Sequence, residues 1–295
     1  MNSLPKLGFI GLGNMGKPMS SHLLERGYQL VVFDSRDEAI HSLSEKGALV
    51  AKSPADVGSE ADIVLVSLPT PDIVREVAIG ENGLIYGRRF HTYIDLSTTG
   101  PDVAQLVGDR LVQEKIGVLD APVSGGVPGA ITGSLSIMAS GSRQIFEECR
   151  PILQVIGDNI FYVGEKVGHG QVMKLINNFL SATALAATSE AVVLGAKAGL
   201  NPKSMIDILN ASSGRNSATL DKFPKSILPG TYDYGFKTSL MCKDLDLCME
   251  MANGMCVPTW IGGIIRQVWN FARYEIGSDS DFTTIFRYFE KRASL

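Results

Sequence analysis

Little in this sequence is set aside for binding by charge. Its 27 Lys+Arg against 31 Asp+Glu leave a net charge of −4 and a pI near 5.6. A nucleic acid or an anionic membrane has no electrostatic hold on such a chain, so a small molecule is the expected ligand. Cysteine is scarce: Cys149, Cys242, Cys248 and Cys256 form no C-x-x-C pair. No apolar secretory segment precedes the strand-like run that starts at Leu7. Together these point to a reducing, cytoplasmic setting with buried or inert thiols. His22, His41, His91 and His169 are dispersed, no H-E-x-x-H occurs, and no metal is expected. The longest apolar stretch, 179 to 200, is broken by Ser, Thr, Glu190 and Lys197, which reads as a buried core helix of a soluble protein instead of a membrane span.

What is present is apolar residue in quantity, 45% of 295 positions, enough for the cores of two domains. Short apolar runs, LGFIG (7 to 11), LVVFD (30 to 34), DIVLVSLP (62 to 69), TYIDLS (92 to 97) and GVLDAPV (117 to 123), alternate with helix-length segments. That alternation predicts βαβ units and an α/β fold, a Rossmann-type doubly wound parallel sheet over residues 1–165. SLSIMAS and NIFYVG supply two further strands. After Gly170 only helical patterns follow, four or five of them, separated by loop signals such as SSGRNS (212 to 217). Residues 166–295 are therefore expected to form an all-α C-terminal domain, joined to the first by the long helix that opens in GHGQVMKLINN.

Gly11, Leu12, Gly13, Asn14, Met15 and Gly16 spell G-x-G-x-x-G directly after the first strand and at a helix start. In that context the first glycine permits a tight turn, the second lets backbone approach a pyrophosphate, and the third lets helix and strand pack. Asp34, at the end of the second strand, is placed to accept from both ribose hydroxyls and to repel a 2′-phosphate, so NAD is favoured over NADP, with Arg36 softening the preference. An ordinary N-cap for the next helix is the alternative for Asp34. Leu68-Pro69 and Ser97-Thr98 end the third and fourth strands on the edge where open α/β sheets bind ligands.

Residues 120 to 141 are glycine-rich and, after Asp120, uncharged. Either this is a flexible loop with a hairpin, or Ser124, Gly125 and Gly126 present a hydroxyl and clustered N–H groups to a carboxylate. Between Gln171 and Ala196 the only cation is Lys174. It shares a helix face with Asn177, Asn178 and Ser181. A solvated lysine is one reading; the other is a base whose pKa is lowered by the helix N-terminus and by partial burial. Lys243-Asp244 reads as a surface ion pair on a core helix. Arg215 lies in a polar loop, either solvated or binding a carboxylate.

GFIGLGNMGKPM, DAPVSGG, GHGQVMKLINN and MCKDL, in this order, resemble the β-hydroxyacid dehydrogenases over nearly the whole chain. The resemblance implies that Lys174 is the catalytic acid/base, that Asn178 positions the substrate, and that Ser124, Gly125 and Gly126 hold its carboxylate. It also implies that Gly11 to Gly16, Asp34, Leu68, Pro69, Thr98 and Lys243 contact NAD(P), with Phe236 near the nicotinamide, and that the chain is a homodimer or homotetramer through the long helix. The expected reaction interconverts a β-hydroxy acid and its semialdehyde. SSGR (212 to 215) looks more like the 3-hydroxyisobutyrate and 2-(hydroxymethyl)glutarate members than the tartronate semialdehyde reductases, the nearest alternative. A second carboxylate on the substrate would suit Arg215. A 6-phosphogluconate-dehydrogenase-like decarboxylase would carry His at Asn177 and a basic phosphate pocket. An imine reductase would lack Lys174. A nonenzymatic NAD-binding interaction protein would have lost the lysine or the asparagine.

Overall fold

The computed structural model describes residues 4–295. One compact unit runs to Lys174; Leu175–Leu295 forms a second. The first contains, in chain order, β1 (Leu7–Ile10), α1 (Gly16–Glu25), β2 (Leu30–Phe33), α2 (Asp37–Ser44), β3 (Leu49–Val50), α3 (Pro54–Glu60), β4 (Ile63–Val66), α4 (Pro71–Ile79), β5 (Thr92–Asp95), α5 (Pro101–Gln113), β6 (Gly117–Asp120), β7 (Val123–Ser124), α6 (Gly126–Thr132), β8 (Ser136–Gly141), α7 (Arg143–Ile156), β9 (Asn159–Gly164) and the start of α8 (His169–Lys197). Proline begins α3, α4 and α5, where its missing N–H costs nothing. Ser53 and Thr70 cap the first two of these, accepting from the N–H of Asp56 at 3.1 Å and of Ile73 at 3.3 Å.

The sheet order is β3-β2-β1-β4-β5-β6, all parallel, continued by β8 and β7, with β9 against β8. Every residue of β1, β4 and β5 is buried, which is why these strands read as unbroken apolar runs. The doubly wound expectation holds with one correction: β8 runs antiparallel to β6, and β7 antiparallel to β8. The link from Ser124 to Ser136 contains only the short α6, and a parallel return needs a longer crossover. The observed strands stop short of the apolar runs at their C-terminal ends. Gly11, Asp34, Leu68-Pro69 and Ser97 lie outside the ladder, in the loops at its edge.

In the second unit α8 continues from Leu175 and is followed by α9 (Pro202–Asn210), a π-helix (Ala218–Ile227), α10 (Thr238–Gly254), α11 (Trp260–Ile276) and α12 (Ile285–Arg292). Ala182, Leu185 and Val192 of α8 pack with Phe223, Leu245 and Trp269 in one core, and the Trp269 indole N–H donates to the Ala182 carbonyl at 3.3 Å. The loop signal at SSGRNS ends in Asn216, whose side-chain oxygen accepts from the N–H groups of Ala218 and Thr219 and so caps the π-helix.

By internal contacts the chain divides at Lys174, inside α8, because the first turn of α8 is bonded to β6, β8 and the loop after β5. One further expectation needs correction: α8 is not a wholly buried helix. It is long and apolar enough to cross a membrane by length and composition, with 39% of its most apolar window buried. Of the cysteines, Cys149, Cys242 and Cys248 are buried and Cys256 is exposed. Burial pushes the Cys149 thiol up to about 12 and the Cys242 thiol up to about 11.

Candidate active site

The chain leaves β1, winds outward to β2 and β3, and returns to β4 on the other side of β1, so the sheet reverses direction between β1 and β4. Ligands of open α/β sheets sit beyond the strand ends at such a point. Gly11 is there, at φ +91°, and a Cβ on it would lie 2.3 Å from the Ser67 carbonyl oxygen. A Cβ on Gly16 would lie 1.8 Å from the Gly11 carbonyl oxygen. Both positions are closed to any side chain. Gly13 differs: the nearest atom to its added Cβ is Arg36 Nη2 at 3.8 Å, so the space over this backbone is open to a ligand. The α1 helix begins beside it with no side-chain cap and no acid in its first turn, leaving its first N–H groups to an anion. A groove of about 710 Å³ lined by Leu12, Gly13, Asn14, Lys17 and Arg36, among others, adjoins the loop, a size that suits a cofactor. These residues fit a dinucleotide.

Asp34 is not the N-cap of α2; that position is Arg36, which makes no side-chain cap. Its carboxylate instead accepts from the Leu12 N–H at 2.7 Å and from the Arg36 N–H and Nε at 3.0 and 3.2 Å. Burial works to raise its pKa, but the Arg36 guanidinium and the two backbone donors prevail and hold it below the ordinary value. A carboxylate fixed against the glycine loop at the end of β2 is the arrangement that receives a ribose diol. Next along the edge, the Leu68 N–H donates to Ser97 Oγ at 2.9 Å, joining the ends of β4 and β5. Pro69 is exposed and Thr98 half-buried beside them.

Ser124 is half-buried on β7, and Gly125 and Gly126 take φ +129° and +62° where α6 begins. The glycine run takes backbone conformations that other residues resist, and it sits within an antiparallel hairpin, β7 pairing with β8.

On α8, Lys174 is 8% exposed and Asn178, one turn later, 6%. Asn178 Nδ2 donates to Asp244 Oδ2 at 2.5 Å and its oxygen accepts from Asn177 Nδ2 at 3.0 Å. Lys243 Nζ lies 3.1 Å from Asp244 Oδ1. Lys243-Asp244 is thus no surface pair: Asp244 is 3% exposed and orients the Asn178 amide. Phe236 is half-buried, edge-on to Phe282 with ring centroids 5.5 Å apart. Arg215 is exposed, its backbone N–H closing a turn on Ser212, and its guanidinium forms no ion pair among the described residues.

Three residues escaped sequence reasoning: Asp244, Asp120 and Gln171. Asp120 is buried and accepts from the N–H groups of Gly168 and Gln171, both at 2.9 Å, and from the Ser140 hydroxyl. Burial raises its pKa against those donors. The one sequence signal was Asp120 standing alone as the charge in its segment.

Residues 6–164 match the family described as the NAD binding domain of 6-phosphogluconate dehydrogenase. Residues 168–289 match the one described as NAD-binding of NADP-dependent 3-hydroxyisobutyrate dehydrogenase. The mitochondrial 3-hydroxyisobutyrate dehydrogenase of Rattus norvegicus is 37% identical, over 100% of this chain and 90% of its own. The chain belongs to the β-hydroxyacid dehydrogenase family. Another β-hydroxyacid dehydrogenase, the 2-(hydroxymethyl)glutarate dehydrogenase of Eubacterium barkeri, is 35% identical over 98% of this chain and 96% of its own. Among solved structures, the 3-hydroxyisobutyrate dehydrogenase of Mycobacterium tuberculosis with L-serine superposes with a TM-score of 0.90, at 30% identity, covering 97% of this chain and 99% of that one. As a β-hydroxyacid dehydrogenase the protein is an NAD(P)-dependent oxidoreductase acting on a CH–OH group.

Proposed function

We propose that this chain interconverts a small β-hydroxy acid of the 3-hydroxyisobutyrate or 2-(hydroxymethyl)glutarate type with its semialdehyde, preferring NAD, with Lys174 as the acid/base. The observation that carries this is the paired burial of Lys174 and Asn178 one turn apart on α8. The nicotinamide, when bound, accepts hydride from the carbinol carbon or returns it to the carbonyl. Neutral Lys174 takes the hydroxyl proton in oxidation, and its ammonium gives that proton back to the developing alkoxide in reduction. Asn178, held by Asp244, donates its second N–H to the same oxygen, so charge developing there meets preset donors. Ser124, Gly125 and Gly126 hold the substrate carboxylate through the serine hydroxyl and backbone N–H groups. Gly11 to Gly16 receive the pyrophosphate, Asp34 the ribose, and Leu68, Pro69 and Thr98 line the nicotinamide side. The same reading assigns Phe236 and Lys243 to the cofactor, and Asn177 and Arg215 to the substrate, Arg215 serving a second carboxylate.

A panel of 3-hydroxyisobutyrate, 2-(hydroxymethyl)glutarate, L-serine, glycerate and the matching semialdehydes, each with NAD and with NADP, tests this by nicotinamide absorbance. The first two acids with NAD are expected to give the highest kcat/KM. Fastest turnover of tartronate semialdehyde would move the chain to that branch, and no turnover of any member would leave a nonenzymatic NAD-binding protein.

The same resemblance supports self-association through α8. Ile176, Leu180 and Leu194 expose apolar side chains on this helix, the last two at 59% and 73%, a row that water does not favour. Leu180→Asp is expected to reduce the mass measured by light scattering to that of a monomer while leaving the helical circular dichroism unchanged, since the side chain contributes little to the unit's own core. An unchanged mass, or a wild-type monomer, would refute the interface.

A further inference from the structure

We propose that Gln171 is a positioning residue for the reaction. Its amide fixes the turn of α8 that carries Lys174 against the loop Ser97–Gly100, and so sets the register between proton transfer and the nicotinamide edge of the sheet. This rests on the reading of Lys174 given above.

Gln171 is fully buried and every polar atom of its side chain is engaged. Oε1 accepts from the N–H of Thr99 at 2.9 Å and of Gly100 at 3.3 Å, and Nε2 donates to the Ser97 carbonyl at 3.1 Å. Its backbone N–H is held as well, by Asp120 Oδ2 at 2.9 Å. The residue is thus anchored at both ends, by its backbone to β6 and by its side chain to the loop after β5. That loop is anchored in turn: the Ser97 N–H donates to Asp95 Oδ1 at 2.8 Å, and Ser97 Oγ receives the Leu68 N–H at 2.9 Å. A continuous series of hydrogen bonds therefore runs from the end of β4, through Ser97, to Gln171. Lys174 stands three residues further on, on the same helix face. The strand ends at one extremity of this series are where the sheet receives its cofactor. The lysine at the other is where the proton moves.

Only an amide meets these demands. Two N–H groups need an acceptor and one carbonyl needs a donor from a single flat group; a carboxylate supplies no donor and a cation no acceptor. Reacting groups must be held to within a fraction of an ångström, and a displacement of about 1 Å costs on the order of a hundredfold in rate.

The test uses Gln171→Glu and Gln171→Met in the full chain, with racemic 3-hydroxyisobutyrate and NAD, and with active sites counted by NADH fluorescence titration. Both variants are expected to lose about tenfold to a hundredfold in kcat per titrated site while NADH affinity stays near wild type. The isotope effect with substrate deuterated at the carbinol carbon should rise, because the chemical step becomes limiting. Wild-type kcat per site with a lowered melting temperature would show a purely structural role and overturn the inference. So would loss of NADH binding in both variants, since the residue would then be holding the cofactor loop itself. Lys174→Ala is the control. If it turns over normally, the acid/base reading fails and takes this inference with it; if it is inactive while both Gln171 variants run at wild-type rate, this inference alone fails.

Discussion

Lys174→Ala is expected to lower kcat about a thousandfold, within the hundredfold to ten-thousandfold span of a lost acid/base group, and to leave NADH affinity almost unchanged. The division follows from where the contacts lie. The glycine loop and Asp34, which the reading assigns to the cofactor, are built on β1, β2 and α1, whereas Lys174 stands on α8. The proton has no comparable substitute: Asn178 Nδ2 is committed to Asp244, and an amide neither takes nor gives a proton at neutral pH. Lys174→Arg should be nearly as slow, because a guanidinium keeps its charge and cannot act as a base. Wild-type turnover by Lys174→Ala would end the proposal.

Gly16→Ala is the second large effect. The added methyl would stand 1.8 Å from the Gly11 carbonyl oxygen and 3.0 Å from the Phe9 ring, so the turn must open. Overpacking of this kind costs about 1–3 kcal/mol or more. Expressed in NADH affinity, that is roughly tenfold to a hundredfold, accompanied by a lower melting temperature. Gly13→Ala separates geometry from ligand contact. Its methyl projects into open space, so melting should be unchanged and the loss should appear only in the titration. A Gly13→Ala protein that binds NADH like the wild type would show that the pyrophosphate does not lie over this loop.

The parts of the fold that sequence made legible are those with a local physical cause. Buried parallel strands must be apolar on both faces, so β1, β4 and β5 stand out as runs. G-L-G-N-M-G announces a turn because only glycine tolerates the positions of Gly11 and Gly16. By contrast, β3 and β7 have two residues each, too short for any period to register. The reversal of β8 depends on how little chain lies between Ser124 and Ser136, which no composition signals. Asp244 reads as a surface acid in the sequence, which shows its neighbour Lys243 but not Asn178, 66 positions away. Gln171 was invisible for the same reason: its partners lie in a loop more than 70 positions earlier, and nothing in a glutamine's identity distinguishes a buried clamp from a solvated side chain.

The capping of α8 by Asp120 also bears on the order in which the chain assembles. Gly168 and Gln171 donate across 48 and 51 positions of sequence, so the first turn of this helix depends on a strand that must already be in place. Closing such a span costs chain entropy before any bond returns it, and contacts of long sequence separation form late. From Leu175 onward the helix depends instead on distant partners in its own unit, Asn178 on Asp244 across 66 positions and Ala182 on Trp269 across 87. The two parts of one continuous helix therefore lean on different cores, and amide exchange at Gly168, Gly170 and Gln171 should follow the opening of the sheet, while exchange around Leu185 follows the helical core.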